Sequence, residues 1–124
     1  EILSGGFCIN DGWEPNNDAA GSLQIGTDPV DEYRDFELCP DDEDWDMVEV
    51  TAGKTLDIEL NAFNDETVNI EIYADGTSES DRLVRDTQPE ETKSFSFSPT
   101  ETTVYYIRLF SDTRASGLIS FTTL

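Results

Sequence analysis

The sequence predicts an all-β protein, an antiparallel β-sandwich of eight or nine strands. Three observations predict it. Apolar and polar residues alternate with a period of two after residue 44. Turn-forming residues punctuate these runs at short intervals. Helical periodicity is nearly absent. Residues 18–23 could form one helical turn, capped by Asn17 or Asp18.

Taken in order, residues 23–25 and 33–38 read as the weaker strands, and 45–50 as a firmer one leading out of an aspartate cluster. In 55–62, Leu56, Ile58, Leu60 and Ala62 share one face, with Asp57, Glu59 and Asn61 on the other. In 68–74, Val68, Ile70, Ile72 and Ala74 oppose Asn69, Glu71 and Tyr73. One buried and one wet face is the habit of antiparallel sheets. Turns at Ala52-Gly53-Lys54, Asn64-Asp65-Glu66 and Ala74-Asp75-Gly76 separate these runs. Further strands are expected over 82–87, 92–98, 103–110 and 118–124. Phe95 and Phe97 share a face, as do Tyr105, Ile107 and Leu109. Residues 1–7 read as a linker or the start of an expressed fragment, and 8–124 as one domain with no internal repeat.

The chain of 124 residues carries 28 acidic and 7 basic side chains, a net charge of −21. Such a surface repels nucleic-acid phosphate and anionic membranes, and no basic stripe offsets it. It favours a soluble monomer, in keeping with a salty or calcium-rich medium. No run is apolar enough to span a bilayer, and no charged-then-apolar leader opens the sequence. Two cysteines, Cys8 and Cys39, lie beside loop-forming residues. A disulfide in an exported protein is the expectation, with two buried thiols as the alternative. Chain-entropy reasoning puts such a bond at about 3–4 kcal/mol.

Histidine is absent, which removes Ser-His-Asp and Cys-His nucleophile systems and the imidazole ligands of most catalytic zinc sites. What remains in clusters is carboxylate and amide oxygen. Glu14-Pro15-Asn16-Asn17-Asp18 follows Cys8, and Asp41-Asp42-Glu43-Asp44-Trp45 follows Cys39. Close-set carboxylates repel unless a cation lies between them. Calcium takes six to eight oxygens in irregular geometry. Glu14, Asn16, Asn17, Asp41, Asp42 and Asp44 are therefore the candidate metal ligands. A bonded Cys8–Cys39 pair would draw the two clusters together. The EF-hand pattern is missing, and each cluster alone also reads as a solvated loop.

The ordered set of motifs resembles the bacterial pre-peptidase C-terminal domain. It consists of Asn10-Asp11-Gly12-Trp13-Glu14-Pro15-Asn16-Asn17, Asp42-Glu43-Asp44-Trp45, Thr51-Ala52-Gly53-Lys54-Thr55-Leu56 and Tyr105-Tyr106-Ile107-Arg108-Leu109. The resemblance spans residues 8–124 and implies a jelly-roll-like sandwich, similar to the collagen-binding domains of bacterial collagenases. It also implies calcium held between an N-terminal linker (Glu14, Asn16, Asn17) and the sandwich (Asp42, Asp44, with Asp41). The cysteines then look like a disulfide-bearing branch of secreted bacterial proteins. Asn17 in place of Asp, Gly12 in place of an acidic ligand, Asp46 in place of an aromatic and Thr103 in place of Gly depart from the pattern.

Three functions follow from this reading. The first is a non-catalytic, secreted or cell-surface accessory module, stabilised by calcium and appended to other domains of a parent polypeptide. The second is a module binding extracellular polysaccharide or a collagen-like protein, with Tyr73 and Tyr106 on a wet face as its aromatic platform and Tyr33 similar in type. The third is a glycosidase built on paired carboxylates.

Overall fold

A computed structural model describes residues 23–26, 31–40, 43–63 and 67–124. Nine strands occur in it: β1 (Leu23–Gly26), β2 (Asp31–Leu38), β3 (Glu43–Val50), β4 (Leu56–Ala62), β5 (Asn69–Ala74), β6 (Arg82–Asp86), β7 (Thr92–Phe97), β8 (Thr103–Phe110) and β9 (Ala115–Thr123). A 3-10 turn, Glu79–Asp81, precedes β6. The expected helical turn at 18–23 and the linker at 1–7 lie outside the described residues, apart from Leu23 in β1.

The strands form two sheets, a five-stranded sheet in the order β1-β3-β8-β5-β6 and a four-stranded sheet in the order β2-β9-β4-β7. Set β1 aside and count from β2. The first sheet then runs second, seventh, fourth, fifth, and the other runs first, eighth, third, sixth. That is the double Greek-key order of a jelly roll. One pairing departs from the expected antiparallel rule. β1 runs parallel to β3, with a register shift between Gln24 and Gly26.

Alternation builds the core. Val48 and Val50 of β3, Ile70 and Ile72 of β5, and Tyr105, Ile107 and Leu109 of β8 point inward from the five-stranded sheet. Phe36 and Leu38, Leu56, Ile58 and Leu60, and Ile119 and Phe121 point inward from the other. Each fully buried aliphatic or aromatic side chain contributes about 1.5–3 kcal/mol against exposure. The large apolar positions predicted to share faces in β4, β5 and β8 do so, because a period of two fixes the facing side of a pleated strand.

Two turns need special backbone. Gly53 (φ 87°) lies between β3 and β4, and Asp75 (φ 58°) closes β5. Aspartate tolerates this region better than most residues. Asp75 also holds Val104 twice, its N–H donating to the Val104 carbonyl (2.7 Å) and its Oδ1 accepting from the Val104 N–H (2.9 Å). Gly117 answers a packing need instead. It pairs with Phe36 across β2–β9. A Cβ there would meet the Asn61 carbonyl oxygen at 2.1 Å and the Phe36 ring at 2.8 Å. Gly117→Ala is expected to lower stability by about 1–3 kcal/mol through overpacking, read as a lower midpoint in urea unfolding. An unchanged midpoint would show that the strands part easily.

Candidate functional site

The acidic stretch before Trp45 runs into β3, so alternation decides where its carboxylates point. Asp44 and Asp46 share the inward parity of Val48 and Val50, and both are fully buried. Opposite them, from β2, comes Arg34, whose neighbours of like parity are Phe36 and Leu38. Arg34 is buried too. Its Nε and Nη2 donate to Asp46 Oδ1 (2.9 Å) and Oδ2 (2.8 Å), a two-point clamp across the sheets. Its Nη1 lies 3.8 Å from Asp44 Oδ2, an ion pair without hydrogen-bond geometry. One guanidinium thus serves two buried carboxylates, unequally.

Asp44 is the predicted ligand that the described residues contain. Glu14, Asn16, Asn17, Asp41 and Asp42 lie outside them, as does Cys8. No group of three or more potential metal ligands occurs among the described residues. Cys39 follows the last residue of β2 and is half-buried, and the described residues contain no free cysteine.

A second buried cation occupies the opposite edge. Lys93 of β7, on the inward side with Phe95 and Phe97, is 3% exposed. Its Nζ donates to the Val68 carbonyl (3.0 Å) and the Asp86 carbonyl (3.3 Å), and pairs with Asp86 Oδ1 (3.1 Å). Burial pushes the Asp86 carboxyl upward, but the Gln88 N–H and the Lys93 ammonium outweigh it and hold the group below the usual aspartate range.

The outer face of the five-stranded sheet carries a third ionic group. Glu71, only 1% exposed, accepts from Arg108 Nη1 (2.9 Å) and from Tyr73 (2.6 Å), and pairs with Arg85 and Arg82. Arg108 reaches on to Glu43 (2.7 Å), which also accepts from Trp45 Nε1 (2.7 Å). Trp45 and Tyr73 contact with centroids 5.6 Å apart. Burial raises the Glu71 pKa, yet hydrogen bonds from Tyr73 and Arg108 and the arginine charges prevail, so the net shift is downward. Burial, then the Glu71 contact, pushes the Tyr73 phenol up.

Tyr73 and Tyr106 are direct cross-strand neighbours on β5 and β8. Tyr73 is buried against Trp45 with its hydroxyl spent on Glu71, whereas Tyr106 is half-buried. Tyr33 stands exposed on the other sheet. The structure therefore joins Tyr73 and Tyr106 but separates Tyr33 from them.

Sequence reasoning missed Arg34, Asp46, Glu71 and Lys93. Arg34 and Lys93 had a legible signal, since each is a lone cation at the inward parity of an apolar strand. Glu71 had none, because it sits where a wet face was expected and is buried by its arginines and Tyr73.

No protein-family model and no curated protein matches this chain. Solved structures do. A periplasmic inhibitor of g-type lysozyme from Aeromonas hydrophila superposes with a TM-score of 0.57 at 8% identity, over 83% of this chain and 96% of that one. The pre-peptidase C-terminal domain of a Bacillus anthracis collagenase superposes with a TM-score of 0.53 at 12% identity, over 83% of this chain and 94% of that one. At these identities the likeness is one of fold.

Two predictions follow from the ionic groups. Arg34→Met leaves two carboxylates buried around an apolar side chain and should cost about 3–5 kcal/mol, measured by urea unfolding at neutral pH. A loss below 1 kcal/mol would mean the carboxylates reach water. The depressed Glu71 and Asp86 carboxyls contribute stability above the ordinary carboxyl range. That stability drains away as pH falls below roughly 4 and through their folded-state values. Glu71→Gln should flatten this acid limb of a stability–pH profile while lowering neutral-pH stability. An acid limb identical to wild type would remove Glu71 from it.

Proposed function

We propose that this chain is a non-catalytic accessory β-sandwich module of a secreted bacterial protein, ordered by calcium and serving stability, secretion or attachment. The observation that carries the reading is the shared sandwich with a collagenase appendage domain, over 94% of that domain. The second neighbour is described as periplasmic, which supports placement outside the cytoplasm. A Cys8–Cys39 bond belongs to the same reading, since export favours it.

Calcium would be held by Glu14, Asn16 and Asn17 from one side and by Asp41, Asp42 and Asp44 from the other. Asp44 supports this assignment. It is fully buried, on the same inward face of β3 as the buried carboxylate of Asp46. Buried carboxylates persist as anions only among cations, so a hard divalent ion suits this oxygen set. The ion would tie the N-terminal segment to the sandwich.

A second reading is attachment to extracellular polysaccharide or a collagen-like protein. The half-buried Tyr106 on the outer face of the five-stranded sheet favours it, while its neighbour Tyr73, expected on a wet face, is buried against Trp45 and offers no platform.

Calcium that binds only the folded form at about a hundredfold excess over its dissociation constant adds about 2.7 kcal/mol. For a domain of this size that is roughly 10 °C in melting temperature. Chelation should therefore lower the melting temperature by that order, and refilling calcium should restore it. An Asp41→Asn, Asp42→Asn double variant, which leaves the Arg34 cluster intact, should lose the response. Calorimetric titration of chelated protein that shows no heat, with an unshifted melting temperature, would remove the metal from this reading.

A further inference from the structure

A groove of ≈ 720 Å³ opens at one end of the outer face of the five-stranded sheet, between the start of β5, the end of β6 and the β8–β9 turn. Asn69, Arg85, Thr87, Phe110, Asp112 and Thr113 line it. Asn69 is 9% exposed, so its side chain is nine-tenths buried, yet it forms part of the groove wall. Among the described residues its side-chain amide makes no hydrogen bond. The amide is not among the sealed polar atoms of the described residues, so the part of Asn69 that stays accessible includes it, at the groove wall.

The surroundings are already in place. Ser111 Oγ donates to the Thr67 carbonyl (2.9 Å) and accepts from the Thr113 N–H (3.3 Å), tying the β8–β9 turn to the approach to β5. Phe110 pairs with Asn69 across the strands. The Arg108 guanidinium lies 4.1 Å from the Phe110 ring centre and that of Arg85 5.9 Å. Arg85 is about half exposed, with one nitrogen on Glu71 and further N–H donors remaining.

We propose that this groove binds a neutral saccharide through Asn69, Arg85 and Asp112. Arg85 supplies donors, Asp112 an acceptor, and the Asn69 amide and the two threonine hydroxyls supply both. Sugar hydroxyls donate and accept at once, so a polyhydroxylated ligand can use all of them. An anionic ligand would face Asp112 and a net charge of −21. A cationic one would face Arg85. A peptide draws most of its affinity from apolar anchors, and among the described residues Phe110 is the one large apolar side chain lining the groove. The inference rests on the attachment reading and is independent of calcium. It moves the contact four residues along β5 from Tyr73, about 13 Å at strand rise.

The test is nuclear magnetic resonance titration of the full chain with cellopentaose, xylopentaose, mannopentaose and chitopentaose, and in a separate arm with a collagen-type triple-helical peptide. The expected result is that at least one oligosaccharide shifts the Asn69 side-chain amide and Arg85 Nε resonances. Asn69→Ala and, separately, Asp112→Ala on the exposed turn should each weaken binding about tenfold or more, in variants whose amide spectra show the fold retained. Oligosaccharide or peptide binding that leaves these resonances unmoved and survives both substitutions would overturn the groove assignment while keeping attachment. A peptide that shifts the same resonances when no sugar does would overturn the saccharide assignment. Absence of binding to every probe would overturn the groove and the attachment reading together.

Discussion

Two buried cations join the sheets, and the register of the sandwich depends on them. Arg34 reaches from β2 to Asp46 at one edge, and Lys93 reaches from β7 to Asp86 and the Val68 carbonyl at the other. The apolar core between them is tolerant, since Ile, Leu and Val can exchange positions with modest loss. A buried ion pair is not tolerant. Sliding one sheet by a residue pair would leave an uncompensated charge in the interior. The aliphatic layers thus supply the bulk of the stability, and the two clasps fix which face-to-face arrangement is adopted.

This explains how a chain with so few cations spends them. Of the seven, Arg34, Arg82, Arg85, Lys93, Arg108 and Arg114 are all ion-paired. Three converge on Glu71, where they and Tyr73 bury a carboxylate on an outer face. The arginines concentrate positive charge on one side of a strongly acidic molecule. Arg85 belongs both to this cluster and to the groove beside Asn69, so the fold holds a ligand-facing donor in place through an internal ion pair.

How much was legible follows from what each residue obeys. β4, β5 and β8 read directly from the sequence, because their apolar residues alternate and little competes with that signal, whereas the last strand, expected over 118–124, begins earlier, at Ala115. β3 was legible as a strand over 45–50, but Asp44 near its start was read as a metal ligand. Asp46 belongs to Arg34, twelve residues earlier, and a pairing across sheets leaves no local mark. Arg34 and Lys93 could have been found by parity. The Asn69 groove could not, since it arises where three segments distant in sequence meet. β1 escaped the antiparallel expectation because four residues carry too little pattern to fix direction.

The strand pairing also governs how the chain must fold. β2 lies beside β9, and β3 beside β8, so the earliest long strands find their partners among the last. Closing such wide loops precedes the contacts that reward it, which places folding in the slow range of roughly milliseconds to seconds. A chain still lacking β9 has no complete four-stranded sheet. Completion of that sheet therefore waits for β9, which lies between β2 and β4.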